Sequence, residues 1–388
     1  MASAEQQYAD LVAKTRAFVE AEIRPRARAI DAGGEGLPRD LIEKMAAQGW
    51  LGATFPRDRG GMGLDPVAYG LLTEAIGTVC SNSRALLTLQ VSLVGESLLK
   101  WGTPEQVATW IPRLASGDVL SAFALSEPEV GTDARSVGTI YRKDGDSFVI
   151  KGHKKWMTFG ALADLYLVFA RENETITAFL VERRAPGVSV KPMTGLLGLR
   201  GGHLGEILFD DVVVPASHVV GGIGNGFRYV ANWALDHGRY SIAWAGQALA
   251  RACVESMASY ARRRSQFGKK LLEFPQVQAI LGDATAKMCA GRALCMRVGE
   301  LRKADAPDAM IETSIAKYFT STMANDIARE AIQVHGGNGC SDAYPVERYF
   351  REAKILEIIE GTSQVQQQII AKHALQKYNL ASYGAADS

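Results

Sequence analysis

The segment Ile355-Leu356-Glu357-Ile358-Ile359-Glu360-Gly361-Thr362-Ser363 places a carboxylate, that of Glu360, between an apolar run and a glycine. A carboxylate held in apolar surroundings has a raised pKa, which suits a general base that works near neutral pH. Gly361 would let the backbone approach a ligand closely. The same letters also fit an acidic residue that points into water from a helix end. The segment therefore needs support from the rest of the chain.

The hydrophobic pattern on either side of this segment changes its period twice. Residues 226–388 hold four long segments of helical spacing joined by short links, which predicts an antiparallel four-helix bundle. Residues 119–225 hold short strand-like runs separated by turns, with Asp144-Gly145 as a hairpin signal. Residues 1–118 have helical spacing again. The pattern predicts three domains over these ranges, with a small antiparallel barrel or sandwich in the middle.

The composition argues against several classes of function. Lys plus Arg is 43 and Asp plus Glu is 42, so no bulk charge would attract nucleic acid or an anionic membrane. The five cysteines form no CxxC pair, which argues against a zinc site or a disulfide framework and fits a reducing cytoplasm. The polar N-terminus is unlike a targeting peptide, and no apolar run reaches the roughly 18–20 residues that span a bilayer. We expect a cytoplasmic protein without a metal.

Four further stretches carry groups that could bind a planar or phosphate-bearing ligand. They offer hydroxyls in a Pro/Gly turn, a broad aromatic face, arginines at a helix end, and glycines after a long helix. The stretches are residues 123–133, 155–158, 262–268 and 333–339. Each alone has an ordinary structural explanation, such as a stabilised turn, a core tryptophan, a solvated helix end or a glycine cap. Their order along the chain is the stronger signal.

That order resembles the acyl-CoA dehydrogenase family over nearly the whole chain. The resemblance implies an α+β, acyl-CoA dehydrogenase-like fold with an N-terminal helical domain, a middle antiparallel β-barrel domain and a C-terminal four-helix bundle. It implies that Glu360 is the catalytic base and that FAD is the cofactor. The residues it assigns to FAD are Phe123, Leu125, Ser126, Gly131, Thr132, Trp156, Met157, Thr158, Arg264, Phe267, Gln333, Gly337, Thr362 and Gln364. The residues it places on the substrate side are Thr132, Asp236, Arg239 and Gly361.

The resemblance also implies a reaction and an assembly. In the family, a backbone N–H at the position of Glu360 and a flavin hydroxyl polarise a thioester carbonyl. The base removes the α proton while the β carbon delivers hydride to the flavin. FAD lies across a subunit interface, and the stretches around Arg264 and Gln333 serve a neighbouring subunit. A homotetramer or homodimer is therefore expected, and an electron-transfer flavoprotein is a candidate electron acceptor.

Three short sequence segments resemble those of a narrower branch of the family, the dehydrogenases of polyketide and nonribosomal-peptide pathways. They are residues 79–84, 238–244 and 353–359. Members of that branch act on short acyl groups bound to an acyl or peptidyl carrier protein, in making extender units for secondary metabolites such as antibiotics. The alternative within the family is a short- or branched-chain acyl-CoA dehydrogenase of catabolism. Two alternatives belong to other functional classes. One is a non-catalytic scaffold, and the other is a flavin monooxygenase or a nitroalkane oxidase, although a nitroalkane oxidase usually has an aspartate base.

Several positions depart from the family pattern. Phe159 stands where many relatives carry asparagine, and His203 lies in a Gly-rich stretch that replaces a Ser/Thr-rich one. Pro275 occupies the place of a glutamine near the FAD, for which Gln276 is a candidate substitute. The sequence leaves the roles of these residues open.

Overall fold

Helices, strands and again helices follow each other along the chain in the computed structural model, which describes residues 4–32 and 34–378. The helices before the strands are α1 Ala4–Phe18, α2 Ala27–Asp31, α3 Arg39–Ala47, α4 Pro66–Gly77, α5 Ser81–Leu87, α6 Glu96–Trp101 and α7 Pro104–Ser116. Two π-helical segments, Val19–Ile23 and Thr88–Gly95, extend α1 and join α5 to α6.

The centre of this first block is the continuous helix formed by α5, Thr88–Gly95 and α6. Every residue of α5 and of the π-helical segment is buried. The sequence predicts this burial, because its run of leucines and valines leaves little polar face. The neighbouring helix α7 has well-defined ends. Thr103 and Gln106 form a capping box at its start, and Gly117 ends it with a φ of 77°.

The strands form one sheet of eight strands and a separate two-stranded ribbon. They are β1 Ser121–Ala124, β2 Ile140–Asp144, β3 Ser147–Met157, β4 Leu165–Glu172, β5 Thr175–Glu182, β6 Val188–Pro192, β7 Gly205–Pro215, β8 Val219–Val220, β9 Ser265–Gln266 and β10 Lys269–Lys270. The order of the large sheet is β6-β7-β3-β2-β4-β5-β8, with β1 paired to β4. The predicted hairpin at Asp144-Gly145 is confirmed by the antiparallel pairing of β2 with β3.

The expectation of a middle antiparallel β-barrel domain holds in part: the middle domain is a β domain, but its sheet does not close. In the described chain β6 and β8 end the sheet and do not pair with each other, so the sheet is open. It is also mixed, because β1 and β2 both pair with β4 in parallel. A long connection separates β1 from β2, so both strands can run in the same direction as β4. Tight hairpins, by contrast, produce antiparallel pairs.

The helices after the strands are α8 Asn232–Arg263, α9 Pro275–Lys303, α10 Ala309–His335, α11 Val346–Leu356 and α12 Ser363–Lys377. Four of them correspond to the four predicted long segments. Helix α11 is an addition that the sequence pattern did not predict. Thr362 is the N-cap of α12, and its hydroxyl accepts from the Val365 N–H.

The buried side chains form three clusters that follow the three blocks. One joins the first block to the start of α8, one fills the space between α8, α10 and α11, and one lies on the sheet. None of the helices among the described residues has the length and apolar character needed to cross a membrane. Helix α8 borders two of the clusters, and its first half faces Glu360.

Candidate active site

Glu360 sits in a tight connection between α11 and α12. The connection leaves α11 after Leu356, and Glu360 and Gly361 both adopt the left-handed region, with φ of 56° and 87°. This conformation is natural for glycine but is strained for glutamate. Such strain is retained where surrounding structure fixes it, and it is concentrated at functional sites. The connection therefore aims the Glu360 side chain away from the path that a continuous helix would give it.

Three side chains from three helices hold the carbonyl groups of this connection. The Arg239 Nε on α8 donates to the Glu360 carbonyl at 3.3 Å. The Lys317 Nζ on α10 donates to the Gly361 carbonyl at 2.7 Å. The Gln366 Nε2 on α12 donates to both carbonyls at 3.2 Å. The two left-handed residues are thus fixed from three directions.

The Glu360 side chain is half-buried, and one of its two carboxylate oxygens is without a protein partner. Its Oε2 is buried and has no hydrogen-bond partner among the described residues. Burial raises the pKa of Glu360 to about 7, although the positive charges of Arg239, Lys317 and Arg84 lower it. Burial also lowers the pKa of Lys317 to about 8. A carboxylate with these properties can take a proton near neutral pH.

Helix α8 presses its backbone against this carboxylate. A Cβ added at Gly238 would lie 2.5 Å from Glu360 Oε2 and 2.8 Å from Leu93 Cδ2. Only glycine at this position leaves room for the carboxylate beside the helix. The Glu360 side chain therefore occupies the space between α8 and the buried helix of the first block.

The stretch after β1 and the end of β3 are brought together in the sheet. Lys154 Nζ donates to the Leu125 carbonyl at 3.0 Å, and the Lys155 N–H donates to the Ser126 carbonyl at 3.0 Å. Trp156 is 52% exposed and has a φ of 68°. An exposed indole held in this way offers its face to a planar ring, so these residues fit a flavin.

The remaining residues of these two stretches differ in exposure. Phe123, Leu125 and Met157 are buried, Ser126 and Thr158 are half-buried, and Gly131 and Thr132 are exposed. The buried members support the strand ends. The exposed and half-buried members offer hydroxyl and backbone groups to a ligand.

The two stretches assigned to a neighbouring subunit also lie side by side. The Arg264 N–H donates to the Tyr260 carbonyl at 2.9 Å, and the Tyr260 ring stacks on His335 with centroids 4.2 Å apart. The candidate residues themselves, Arg264, Phe267, Gln333 and Gly337, are exposed. Phe267 is 93% exposed, the most exposed of the large apolar side chains that the structure describes. Their assignment to the FAD of another subunit stays a prediction.

The structure also shows where the remaining candidate residues lie, and where the residues that differ from the family pattern lie. Thr362 caps α12, and Gln364 is exposed on its first turn. Asp236 is buried and accepts from Arg302 Nη1 at 2.7 Å, so its carboxylate is held by an ion pair. His203 Nε2 lies 2.9 Å from the Leu37 carbonyl, and its ring is 6.1 Å from that of Phe159. Pro275 is the exposed first residue of α9.

Three residues of the site are absent from the sequence-based candidates. Lys317 and Gln366 hold the Glu360 connection, and Arg84 lies close enough to affect the pKa of Glu360. The sequence pattern that could have identified such residues is a charged or amide side chain within a helix segment that is otherwise apolar or small. Ile315-Ala316-Lys317 and Ser83-Arg84-Ala85 both have this character. A charged residue at such a position must be buried with a partner or serve a site.

Comparison with known proteins decides the family. Residues 5–118, 122–212 and 224–375 match the N-terminal, middle and C-terminal domains of acyl-CoA dehydrogenases. A probable acyl-CoA dehydrogenase of Bacillus subtilis, YngJ, is 35% identical over 364 residues, which are 92% of this chain and 95% of that protein. The chain belongs to the acyl-CoA dehydrogenase family. The expectations of an oxidoreductase and of FAD as its cofactor are confirmed by this membership.

Other relatives of this acyl-CoA dehydrogenase family member have names that mention CoA, an acyl carrier protein or an extender unit. The human mitochondrial short-chain specific acyl-CoA dehydrogenase is 35% identical, covering 95% of this chain and 90% of that protein. The solved butyryl-CoA dehydrogenase of Megasphaera elsdenii has a TM-score of 0.92 at 32% identity, covering 97% of this chain and 99% of the other. FkbI, named for biosynthesis of a methoxymalonyl extender unit, has a TM-score of 0.86 at 32% identity, covering 93% and 99%. The prolyl acyl carrier protein oxidase AnaB has a TM-score of 0.90 at 26% identity, covering 96% and 99%.

Proposed function

We propose that this chain oxidises a short acyl group held as a thioester on an acyl or peptidyl carrier protein, with Glu360 as the base. The observation that supports this most strongly is the Glu360 carboxylate. The side chain is half-buried, it has a buried oxygen without a protein partner, and burial raises its pKa to about 7. A structural carboxylate in the interior would be paired or hydrogen-bonded.

The chain's own residues divide the work of the reaction. Glu360 accepts the α proton of the thioester on its carboxylate. Arg239, Lys317 and Gln366 fix the connection that carries it, so that the Glu360 N–H keeps one direction toward the thioester carbonyl. FAD, when bound, supplies the acceptor for the hydride that leaves the β carbon. The Trp156 face and the half-buried Ser126 and Thr158 would hold its ring.

The packing along α8 supports a short acyl group. Gly238, Ser241 and Trp244 follow each other at three-residue spacing and lie on one side of the helix. Trp244 is fully buried, and a Cβ at Gly70 would come within 2.2 Å of its ring. The indole therefore fills the space up to the backbone of α4. An acyl chain that extended from Glu360 along this side of α8 would meet this indole ring, which favours a short acyl group.

The choice of carrier rests on the relatives. FkbI and the prolyl carrier oxidase AnaB support a carrier-bound substrate, in agreement with the three short sequence segments that resemble that branch. The second candidate is a short-chain acyl-CoA dehydrogenase of catabolism, which the human and Megasphaera relatives favour. Both candidates share the site chemistry around Glu360 and differ in what lies outside it.

The exposed residues at the far ends of α8 and α10 support an assembly. An almost fully exposed phenylalanine, Phe267, beside Arg264 is suited to contact with another chain. We infer a homotetramer or homodimer in which these residues, with Gln333 and Gly337, hold the ADP part of the other subunit's FAD. An electron-transfer flavoprotein is the proposed acceptor for the second half of the reaction.

The test is anaerobic reduction of the flavin in the purified protein. Each of a panel of acyl thioesters would be presented on CoA and on a phosphopantetheinylated carrier protein, and the yellow absorbance would be followed. Loss of colour only with the carrier-bound form supports the carrier-dependent function. Loss of colour with the CoA form at equal or greater rate would favour the catabolic function. A colourless protein would point to a non-catalytic scaffold, and oxygen consumption with a nitroalkane to an oxidase.

A further inference from the structure

A buried ion pair joins the two stretches of the sheet that fit a flavin. Lys154 on β3 is fully buried, and Glu127, which follows β1, is 7% exposed. Lys154 Nζ donates to Glu127 Oε1 at 2.7 Å and to the Leu125 carbonyl at 3.0 Å. A pair of charges at this depth is costly to desolvate, and apolar residues of similar volume often give equal or greater stability. Stability alone therefore does not account for these two charges.

The Glu127 carboxylate also closes the loop that follows β1. Its Oε2 accepts from the Gly138 N–H at 2.6 Å, and its Oε1 accepts from the Thr139 N–H at 2.9 Å. The backbone of Glu127 forms a tight turn with Val130, in which the two N–H groups and the two carbonyls pair at 2.8 and 3.3 Å. One carboxylate thus ties the start of this loop to its end, and Lys154 ties the carboxylate to β3.

The strand β3 contains a bulge directly after Lys154. The register between β3 and β7 shifts there, and two residues of β3 stand opposite one residue of β7. Trp156 lies in this bulge with a φ of 68°, and the N–H of its neighbour Lys155 donates to the Ser126 carbonyl at 3.0 Å. Bulges of this kind re-aim a side chain, often beside an active site. The ion pair therefore flanks this contact on both sides, since Glu127 follows Ser126 and Lys154 precedes the bulge.

We propose that Glu127 and Lys154 are positioning residues, which hold the Ser126 backbone and the Trp156 indole at the separation that a flavin ring fits. This inference rests on the proposed function, in which Ser126 and Trp156 contact the ring. Two segments from different strands would otherwise be ordered only when the ligand binds, and such ordering lowers the affinity. The pair supplies this order in advance, because Lys154, two residues before the indole, holds the backbone of the other stretch at Leu125.

The test measures how tightly the FAD-loaded enzyme keeps its flavin when one partner of the pair is made neutral. Lys154→Met nearly keeps the length of the side chain, and Glu127→Gln keeps the shape of the carboxylate. We expect each variant to raise the dissociation constant for FAD, measured by equilibrium dialysis, about tenfold or more. The fluorescence of the FAD that still binds should also rise, because an indole that is no longer held against the flavin quenches it less.

Unchanged affinity and fluorescence in a Lys154→Met protein that is folded by circular dichroism would overturn the proposal. Glu127→Gln provides the same test if Lys154→Met does not fold.

Two control variants separate positioning from a general loss of stability. Lys151→Met makes the same substitution three residues earlier on β3, where the ammonium is exposed and pairs with Asp210 at 3.2 Å. Tyr141→Phe removes a buried hydrogen bond of the same sheet, in which the Thr177 hydroxyl donates to the Tyr141 oxygen at 2.9 Å. Both should keep the affinity and the fluorescence of FAD, each measured well below the variant's own midpoint of thermal unfolding. An equal loss of affinity in Tyr141→Phe would show that the pair acts only through stability, against the proposal.

A variant of the flavin contact itself distinguishes this inference from the proposed function. Trp156→Ala should weaken FAD binding, because the indole is proposed to contact the ring. Weaker binding in Trp156→Ala with unchanged binding in Lys154→Met would refute the role of the ion pair and leave the proposed function standing. Unchanged affinity and fluorescence in Trp156→Ala would refute the proposed flavin contact and this inference together.

Discussion

Replacing Gly238 by alanine puts a methyl group against the carboxylate of Glu360. The added Cβ would stand 2.5 Å from Oε2 and 2.8 Å from Cδ, and 2.8 Å from Leu93 Cδ2. Ordinary contact begins at about 3.4 Å, so the carboxylate oxygen must move by about 0.9 Å. Its backbone cannot easily follow, because Arg239 and Gln366 hold the Glu360 carbonyl.

A displacement of this size is large for a proton transfer. Misplacing a reacting group by about 1 Å costs roughly 100-fold in rate. We therefore expect Gly238→Ala to slow anaerobic flavin reduction by about 100-fold while FAD content stays near that of the unmodified protein. The measurement is stopped-flow bleaching with the best thioester of the panel, at saturating concentration.

A matched control exists on α9. Gly282 is also within a long helix, and a Cβ added there meets nothing within 4 Å. Gly282→Ala should keep the rate and raise the free energy of unfolding by up to about 1 kcal/mol, as expected for alanine in a helix. If Gly238→Ala reduced its flavin at the unmodified rate, Glu360 would not be the base in the position described here.

Four further outcomes follow from the site. Glu360→Gln should keep its yellow colour and lose bleaching by substrate, whereas bleaching at the original rate would remove Glu360 from the reaction. The reduction rate of the unmodified enzyme should rise with pH through about 7, because Glu360 must be deprotonated to accept a proton. Lys317→Met should move that rise to higher pH, since the Lys317 charge lowers the pKa of Glu360, and an unchanged midpoint in the pH profile would contradict this. Trp156→Ala should lower the FAD content of the purified protein by removing the exposed ring face, which absorbance at the flavin band would measure against total protein.

The order of the blocks was predictable because each depends on local pattern. The burial of the helix around Leu86–Val94 follows from a run of leucines and valines that leaves little polar face, and the hairpin of β2 and β3 follows from Asp144-Gly145. The strand β7 was harder. Its halves look separate in sequence, because Asp210-Asp211 interrupts the apolar residues. The structure keeps them in one strand by placing Asp211 at a φ of 52°.

The details of the site were less predictable because they depend on distant residues. Arg239 and Glu360 are 121 positions apart, and Lys317 and Gly361 are 44 apart. The left-handed conformation of Glu360 is itself a product of these contacts, since glutamate has no local preference for it. A resemblance can assign the base, but only the folded chain shows which side chains hold it.

The pKa of Glu360 illustrates how the helices act together. Burial alone would raise the pKa of the carboxylate further, and a larger fraction of it would then be protonated at neutral pH. Cations alone would lower the pKa, and the carboxylate would then be too weak a base. Arg239, Lys317 and Arg84 come from α8, α10 and α5, and their charges offset part of the effect of burial, so that the pKa is about 7. Since each cation lies on a different helix, the pKa of Glu360 depends on how α5, α8 and α10 pack. A substitution that changes this packing would therefore change the pKa of Glu360 even if it lies far from the carboxylate.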